Sequence, residues 1–272
     1  MKPVVFSDLD GTLLHPATYS FREALEALGL LKEHAIPLVL SSSKTRAEIE
    51  YYREMLSNTD PFVSENGGGI FIPEGYFPFP IEGARSGPYR VITLGRPYGE
   101  VRKALAEIRS DLKVDIRGFG DMTVEEVAGL TGLNLDEARR SLERDYDEPF
   151  VFNGEGVKLE RVLDEIKRRG FNWTRGRFLH ILGSHDKGRA VRILKGMYAR
   201  HYGAITTVGL GDSLNDLPLL KEVDVPVLVA KRDGSYEPLD LPGLVRAEGV
   251  GPKGWNRAVV EIVGGFIDRG EP

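Results

Sequence analysis

Apolar and polar positions along the chain fall into two kinds of run. Short β-branched, apolar stretches at 4–7 and 36–40 alternate with longer stretches of helical period at 21–34 and 45–56. That order predicts a parallel sheet covered by helices. The alternation returns late in the chain, with a helix predicted over 187–202, a strand over 205–208, a short helix over 216–221 and a strand over 225–229. Two distant segments therefore build one sheet. The expected fold class is α/β, with a doubly wound, parallel-sheet, Rossmann-like core.

Between the two segments the rhythm changes. A strand at 89–94, a helix at 99–111, two short helices within 123–145, a strand at 150–153, a helix at 157–169 and a hairpin within 171–182 read as an inserted α+β domain. Small residues and proline gather at 83–88 and at Gly183-Ser184. The expected division is thus a catalytic core of 1–85 and 184–272 around a substrate-specificity cap of 86–183.

Composition then removes several classes of function. A chain that is 41% hydrophobic and 28% charged, without a low-complexity tract, packs as a globular protein. Its net charge of -5 gives no basic footprint for nucleic acid. The apolar segment at 4–6 is too short for a signal peptide or a membrane span, so no membrane partner and a cytoplasmic location are expected. With no cysteine, any metal rests on oxygen or imidazole, and oxygen ligands favour a hard cation such as Mg²⁺.

Candidate chemistry begins at the first strand. Asp8-Leu9-Asp10-Gly11-Thr12-Leu13 places two carboxylates and a glycine where a parallel strand delivers residues to a crevice. Asp-x-Asp-Gly-Thr arises by chance about once per 10⁵ positions, so an accidental turn is improbable. A second acidic group, Gly209-Leu210-Gly211-Asp212-Ser213-Leu214-Asn215-Asp216, again follows an apolar strand. Its acids are expected to meet Asp8 and Asp10 at the same sheet edge, where close carboxylates repel by about 1 to 4 kcal/mol per pair. A divalent cation held by Asp8, Asp212 and a backbone carbonyl removes that conflict. Lys187 in Asp186-Lys187-Gly188-Arg189 opens a helix and suits a phosphoryl oxygen. The hydroxyls of Ser41-Ser42-Ser43, ahead of Lys44, end the second strand and fit the same task or a helix cap.

These four pieces, in this order, resemble the haloacid dehalogenase-like hydrolase superfamily across both core segments. The resemblance implies a Mg²⁺-dependent phosphatase with Asp8 as nucleophile and metal ligand. It implies Asp10 as general acid then base, lending its main-chain carbonyl to the metal, and Asp212 as the second carboxylate ligand. Ser42, or Ser43 in its place, and Lys187 would bind the phosphoryl group, with Asp216 and Asn215 in support. Further runs, Ser43-Lys44-Thr45-Arg46, Ser64-Glu65-Asn66-Gly67-Gly68-Gly69, Gly118-Phe119-Gly120-Asp121, Arg144-Asp145-Tyr146-Asp147-Glu148 and Gly176-Arg177-Phe178-Leu179-His180, look like the mannosyl-3-phosphoglycerate phosphatase family.

By that resemblance the partner is a small phosphorylated sugar, 2-O-mannosyl-3-phosphoglycerate. Neighbouring activities are a broader sugar-phosphate phosphatase, acting on glucosyl-3-phosphoglycerate or sucrose phosphate, and a sugar-phosphate mutase. Ser43, Lys44, Asn66, Gly67, Glu148, Arg177 and His180 are the substrate-binding candidates. Asn66-Gly67 fits either a tight turn with positive φ or a contact to sugar hydroxyls, and Glu148 either a solvated acid or a sugar ligand. Arg177 suits the glycerate carboxylate because its planar fork matches that group. His180 reads equally as a satisfied strand histidine, and His185 is assigned no role.

Overall fold

The computed structural model describes residues 1–154 and 156–268. The chain opens with β1 (Lys2–Ser7), α1 (Leu25–Glu33), β2 (Leu38–Ser41), α2 (Arg46–Leu56), β3 (Phe62–Ser64), β4 (Gly69–Pro73), β5 (Ala84–Ser86) and β6 (Tyr89–Thr93). The middle comprises α3 (Tyr98–Leu112), β7 (Ile116–Gly118), α4 (Val124–Thr131), α5 (Leu135–Ser141), β8 (Asp147–Phe152), α6 (Val157–Arg168), β9 (Asn172–Arg175) and β10 (Leu179–Leu182). It closes with α7 (Lys187–Tyr202), β11 (Ile205–Gly211), α8 (Leu217–Glu222), β12 (Val225–Ala230), β13 (Val245–Val250) and α9 (Pro252–Asp268).

One sheet runs β13-β12-β11-β1-β2-β3-β4-β6-β5, parallel from β13 to β3 and antiparallel beyond. Strand β1, in the interior of this sheet, is apolar on both faces because both are covered. Val5 packs with Ala27 of α1, Ile49 of α2 and Trp255 of α9. Val4 and Phe6 pack on the other side with Leu194 and Tyr198 of α7 and Leu219 of α8. Each such side chain contributes about 1.5 to 3 kcal/mol by leaving water. That double-sided burial fixes β1, and with it the direction in which Asp8 is delivered. Asp8 and Asp212 lie just beyond the carboxyl ends of adjacent strands, because Ser7 of β1 registers with Leu210 of β11.

A second, antiparallel sheet runs β7-β8-β10-β9. On one face α3 and α6 supply Val101, Leu105, Ile108, Val162 and Ile166 against Ile116, Phe150 and Ile181. A smaller cluster joins α4 and α5 to Phe119 and Phe178 through Val127 and Ala138. Among the described residues no helix is long and apolar enough to cross a membrane.

The strand expected at 89–94 as the start of the insertion instead belongs to the large sheet, where β6 pairs with β4 and β5. Tyr89 explains this. Its ring meets Phe62 at 5.4 Å and Phe71 at 5.9 Å, and its hydroxyl accepts from Arg53 at 2.9 Å. The second sheet's own chain therefore starts after Thr93. The strand expected at 150–153 begins earlier, at Asp147, with Pro149 inside it. Proline is tolerated there because β7 pairs only with residues 150–152, which leaves Pro149 unflanked on that side.

Candidate active site

Asp8 leaves β1 almost fully buried, its N–H donating to the Leu210 carbonyl at 2.9 Å. Lys187, the first residue of α7, is also fully buried and places Nζ 2.6 Å from Asp8 Oδ1 and 2.6 Å from Asp216 Oδ1. The Asp186 side chain caps that helix on the Arg189 N–H, which sets the point from which Lys187 reaches inward. Asp216 spends its other oxygen on the N–H groups of Asp212 and Ser213, at 3.0 and 3.1 Å. It thereby shapes the loop that presents Asp212.

Carboxylate oxygens of Asp8, Asp212 and Asp216 lie within 4.8 Å of one another. Burial pushes the Asp8 carboxyl up to about 7, with Asp216 adding to the rise and Lys187 opposing it. Asp212 is held well above the usual carboxylate range by burial, then by Asp216 and Asp8. Burial pulls the Lys187 ammonium down, yet Asp216 and Asp8 outweigh it and keep its pKa above the ordinary lysine value. One lysine does not balance three acids, so the donor set fits a hard divalent cation. Gly11 makes this packing possible: its φ is +80°, and a Cβ there would lie 2.6 Å from Asp212 Oδ2.

The Asp10 carboxylate turns away from that cluster. Its Oδ2 lies 3.0 Å from Lys44 Nζ, which also donates to Glu48 at 3.2 Å, while its Oδ1 is buried with no hydrogen-bond partner among the described residues. Burial lowers the Lys44 pKa, but Asp10 and Glu48 more than compensate and hold the ammonium well above the ordinary value. Of the serines, Ser43 lines the cavity described below. Ser42 is fully buried, its Oγ accepting the Lys44 N–H at 3.4 Å.

Several expected substrate contacts have partners within the protein instead. Asn66 donates from Nδ2 to Asp147 at 2.8 Å and accepts at Oδ1 from Asn215 at 3.1 Å, so both ends of its amide are engaged. Gly67, at φ +97°, packs so closely that a Cβ would lie 2.1 Å from the Asp186 carbonyl. Neither lines the cavity, and the turn reading of Asn66-Gly67 is the one the geometry favours. Glu148 points to the opposite face of β8 from Pro149 by strand alternation. There it accepts from the Tyr98 hydroxyl at 2.6 Å and the Gly120 N–H at 2.9 Å, with no part in the cavity wall. Arg177 does line the cavity, but its guanidinium is committed to Tyr19 Oη at 3.1 Å and to the Thr131 and Leu130 carbonyls at 2.7 and 3.2 Å. His180 lines it too, with Nδ1 3.0 Å from Asp147.

Residues not singled out in the sequence join Asn66 in a clasp between the two sheets. Glu65, fully buried, accepts the N–H groups of Asp145, Tyr146 and Asp147 at 2.9, 2.8 and 2.9 Å. Arg144 pairs with Asp147 and donates to the Ser43 carbonyl at 3.2 Å. Asp147 is held low, at about 2, because Arg144, His180 and Asn66 together outweigh its burial. The signal for this network lay in the two acid-bearing runs at 64–69 and 144–148, but the weight fell on Glu148 and Asn66 rather than on their neighbours.

Between the sheets lies a cavity of about 640 Å³. Asp8, Asp10, Ser43, Lys44 and Asp212 form its floor, and Phe119, Arg175, Arg177, Phe178 and His180 cover it from the second sheet. A buried carboxylate beside a buried lysine, an acidic cluster fit for a cation and a separate acid with one free oxygen make a set suited to phosphoryl transfer.

Comparison with known proteins agrees with this geometry. The family model of the haloacid dehalogenase-like hydrolases matches residues 5–76. A glucosyl-3-phosphoglycerate/mannosyl-3-phosphoglycerate phosphatase of Methanococcoides burtonii is 45% identical over 267 residues, covering 97% of this chain and 98% of its own. A mannosyl-3-phosphoglycerate phosphatase of Pyrococcus furiosus is 37% identical over 228 residues, covering 83% and 90%. Among solved structures, a phosphatase of the haloalkanoate enzyme superfamily from Bacteroides thetaiotaomicron superposes with a TM-score of 0.64 at 16% identity, covering 97% and 96%, a likeness of fold alone. The chain is a phosphoric monoester hydrolase, and it belongs to the haloacid dehalogenase-like hydrolases, in the mannosyl-3-phosphoglycerate phosphatase family.

Proposed function

We propose that this enzyme hydrolyses 2-O-mannosyl-3-phosphoglycerate to mannosylglycerate and phosphate through an aspartyl-phosphate on Asp8, with Mg²⁺ as its metal. The observation that carries the reading is the placement of Asp8, buried at the tip of β1, bound to Lys187 at 2.6 Å, beside Asp212 and on the floor of the cavity between the sheets. The glucosyl counterpart is a second substrate of the same site, favoured by the double name of the relative at 45% identity.

Each residue has a task its surroundings suit. Lys187 favours the ionised form of Asp8, whose free oxygen attacks phosphorus as the bond to the glycerate oxygen breaks. Asp10 gives its proton to that departing oxygen. It then takes one from the water that attacks the aspartyl-phosphate, which releases phosphate and restores Asp8. Lys44 holds Asp10 Oδ2 at 3.0 Å, leaving Oδ1 to handle the proton. Ser43 and Lys187 donate to phosphoryl oxygens. Asp8, Asp212 and the Asp10 carbonyl would hold a divalent cation, which would supply positive charge for the phosphoryl group. The second sheet, in the segment after β6 up to Gly183, is the cap. It excludes bulk water and reads the leaving group, while the flanking segments form the core.

Phosphate release from mannosyl- and glucosyl-3-phosphoglycerate, with and without EDTA, tests this. Metal-dependent release from both is expected. Isomerisation of mannose 1-phosphate without free phosphate would move the assignment to a mutase, and no metal-dependent release from any phosphate ester would end the proposal.

A further inference from the structure

Six cationic side chains line the cavity, and their partners divide them sharply. Lys44 is held by Asp10 and Glu48, Arg144 by Asp147, Arg177 by Tyr19 and two carbonyls, and Lys231 by Glu237 at 2.5 Å. Arg175 and Arg232 remain, both exposed and neither with an acceptor among the described residues. An unpaired guanidinium lining a cavity is a standing site for an oxyanion, since its fork matches a carboxylate with two parallel hydrogen bonds.

The two differ in position. Arg232 sits at the rim, where it also borders a shallow depression shared with Asp233. Arg175 ends β9 on the turn that covers the loop carrying Asp212: a Cβ at the next residue, Gly176, would lie 3.6 Å from Asn215 Oδ1. Asp8 and Arg175 line the same cavity, so the leaving group of a phosphate seated on Asp8 would share that space with Arg175. Of the other cations of the roof, Arg144 is paired with Asp147, and Arg177 already donates three hydrogen bonds, to Tyr19 and to the Thr131 and Leu130 carbonyls.

We infer that Arg175 is the specificity-determining residue that binds the carboxylate of the leaving group. The assignment rests on the glycosyl-phosphoglycerate reading above and sharpens it. The enzyme selects esters that carry a second anion next to the one it cleaves, and it does so from the cap rather than from the catalytic floor. Arg177, the better candidate on sequence alone, serves instead to fasten the cap.

The test compares two substrates on two proteins. The substrates are 2-O-mannosyl-3-phosphoglycerate and 2-O-mannosylglycerol 3-phosphate, which bears a hydroxymethyl group in place of the carboxylate. The wild type should prefer the acid by roughly 10- to 100-fold in kcat/KM, the range for one charge-assisted bidentate contact. In Arg175→Ala that preference should collapse towards unity, chiefly through KM, while Arg175→Lys should keep an intermediate share because it retains charge without the fork. A variant whose preference equals that of the wild type, or a wild type with no preference, overturns the assignment. If the wild type releases phosphate from neither glycosyl-phosphoglycerate, the substrate reading itself has failed and the assignment falls with it.

Discussion

The floor and the roof of the cavity are built on opposite rules. On the floor the cations are buried and already paired, Lys187 with Asp8 and Asp216 and Lys44 with Asp10 and Glu48. On the roof the buried charges, Asp147 and Arg144, face each other, and the group left open is the exposed Arg175. Preorganised charge aimed at a developing charge accelerates a step, whereas an unpaired group recognises a ligand that brings its own partner. On the function proposed above, the floor serves as a fixed instrument of chemistry and the roof as an adjustable reader.

The sharpest break of that contrast is Asp8→Asn. Loss of the nucleophile should lower kcat by about 10⁴-fold or more. The thermal midpoint should not fall in proportion, because a neutral side chain relieves a buried acidic cluster, and calorimetry alongside steady-state kinetics checks both halves. Lys187→Met comes next. It should cost about 10² to 10³ in kcat, and on the order of 3 kcal/mol in denaturant unfolding, since Asp8 and Asp216 stay buried without their cation. An unfolding curve that matches the wild type would refute the view of this lysine as a structural counter-charge.

Arg177→Met addresses the roof. Removing its bonds to Tyr19 and to the carbonyls of Thr131 and Leu130 should destabilise by about 1 to 2 kcal/mol. It should also raise KM more than it lowers kcat for substrates with and without a carboxylate alike, in contrast to Arg175→Ala. The smallest effect belongs to His185, whose buried ring has a pKa below the ordinary 6.5 because burial disfavours the imidazolium. Below pH 6.5 the unfolded chain takes up a proton that the folded ring resists. Stability is therefore full above that pH and falls on acidification, by at most about 1.4 kcal/mol per pH unit, until the folded ring titrates. Melting scans from pH 7.5 to 5 should show a shallower acid loss in His185→Asn than in the wild type.

What the sequence disclosed follows the same divide. Strands β1, β2, β11 and β12 were legible because burial on both faces leaves an unbroken apolar run. In contrast, β7 has only three residues, and β13 buries only Ala247, so neither carries a periodic signal. The acids at the β1 and β11 tips announced themselves because a carboxylate, a glycine and a strand end must coincide there. Asn66 and Glu148 each left two readings open for a physical reason. A polar side chain satisfied inside a clasp and one waiting for a sugar have the same one-letter code, and only the three-dimensional partners separate them. Glu65 and Asp147 were passed over in the same runs, although both lie fully buried.

The tripeptide Glu65-Asn66-Gly67 has φ values of +47°, +56° and +97°. It grips the backbone before β8 through Glu65, Asp147 through Asn66, and the start of α7 through the close packing of Gly67. It works as a keystone: with the Asn215 amide that donates to Asn66, three arms of the molecule lean on it, the start of β8, the loop after β11 and the start of α7, and it lies outside the wall of the cavity. Exhaustive mutagenesis of this enzyme should therefore find a narrow band of intolerance at 65–67, as severe as that at the nucleophile, in a place where inspection of the bound ligand alone would give no cause for it.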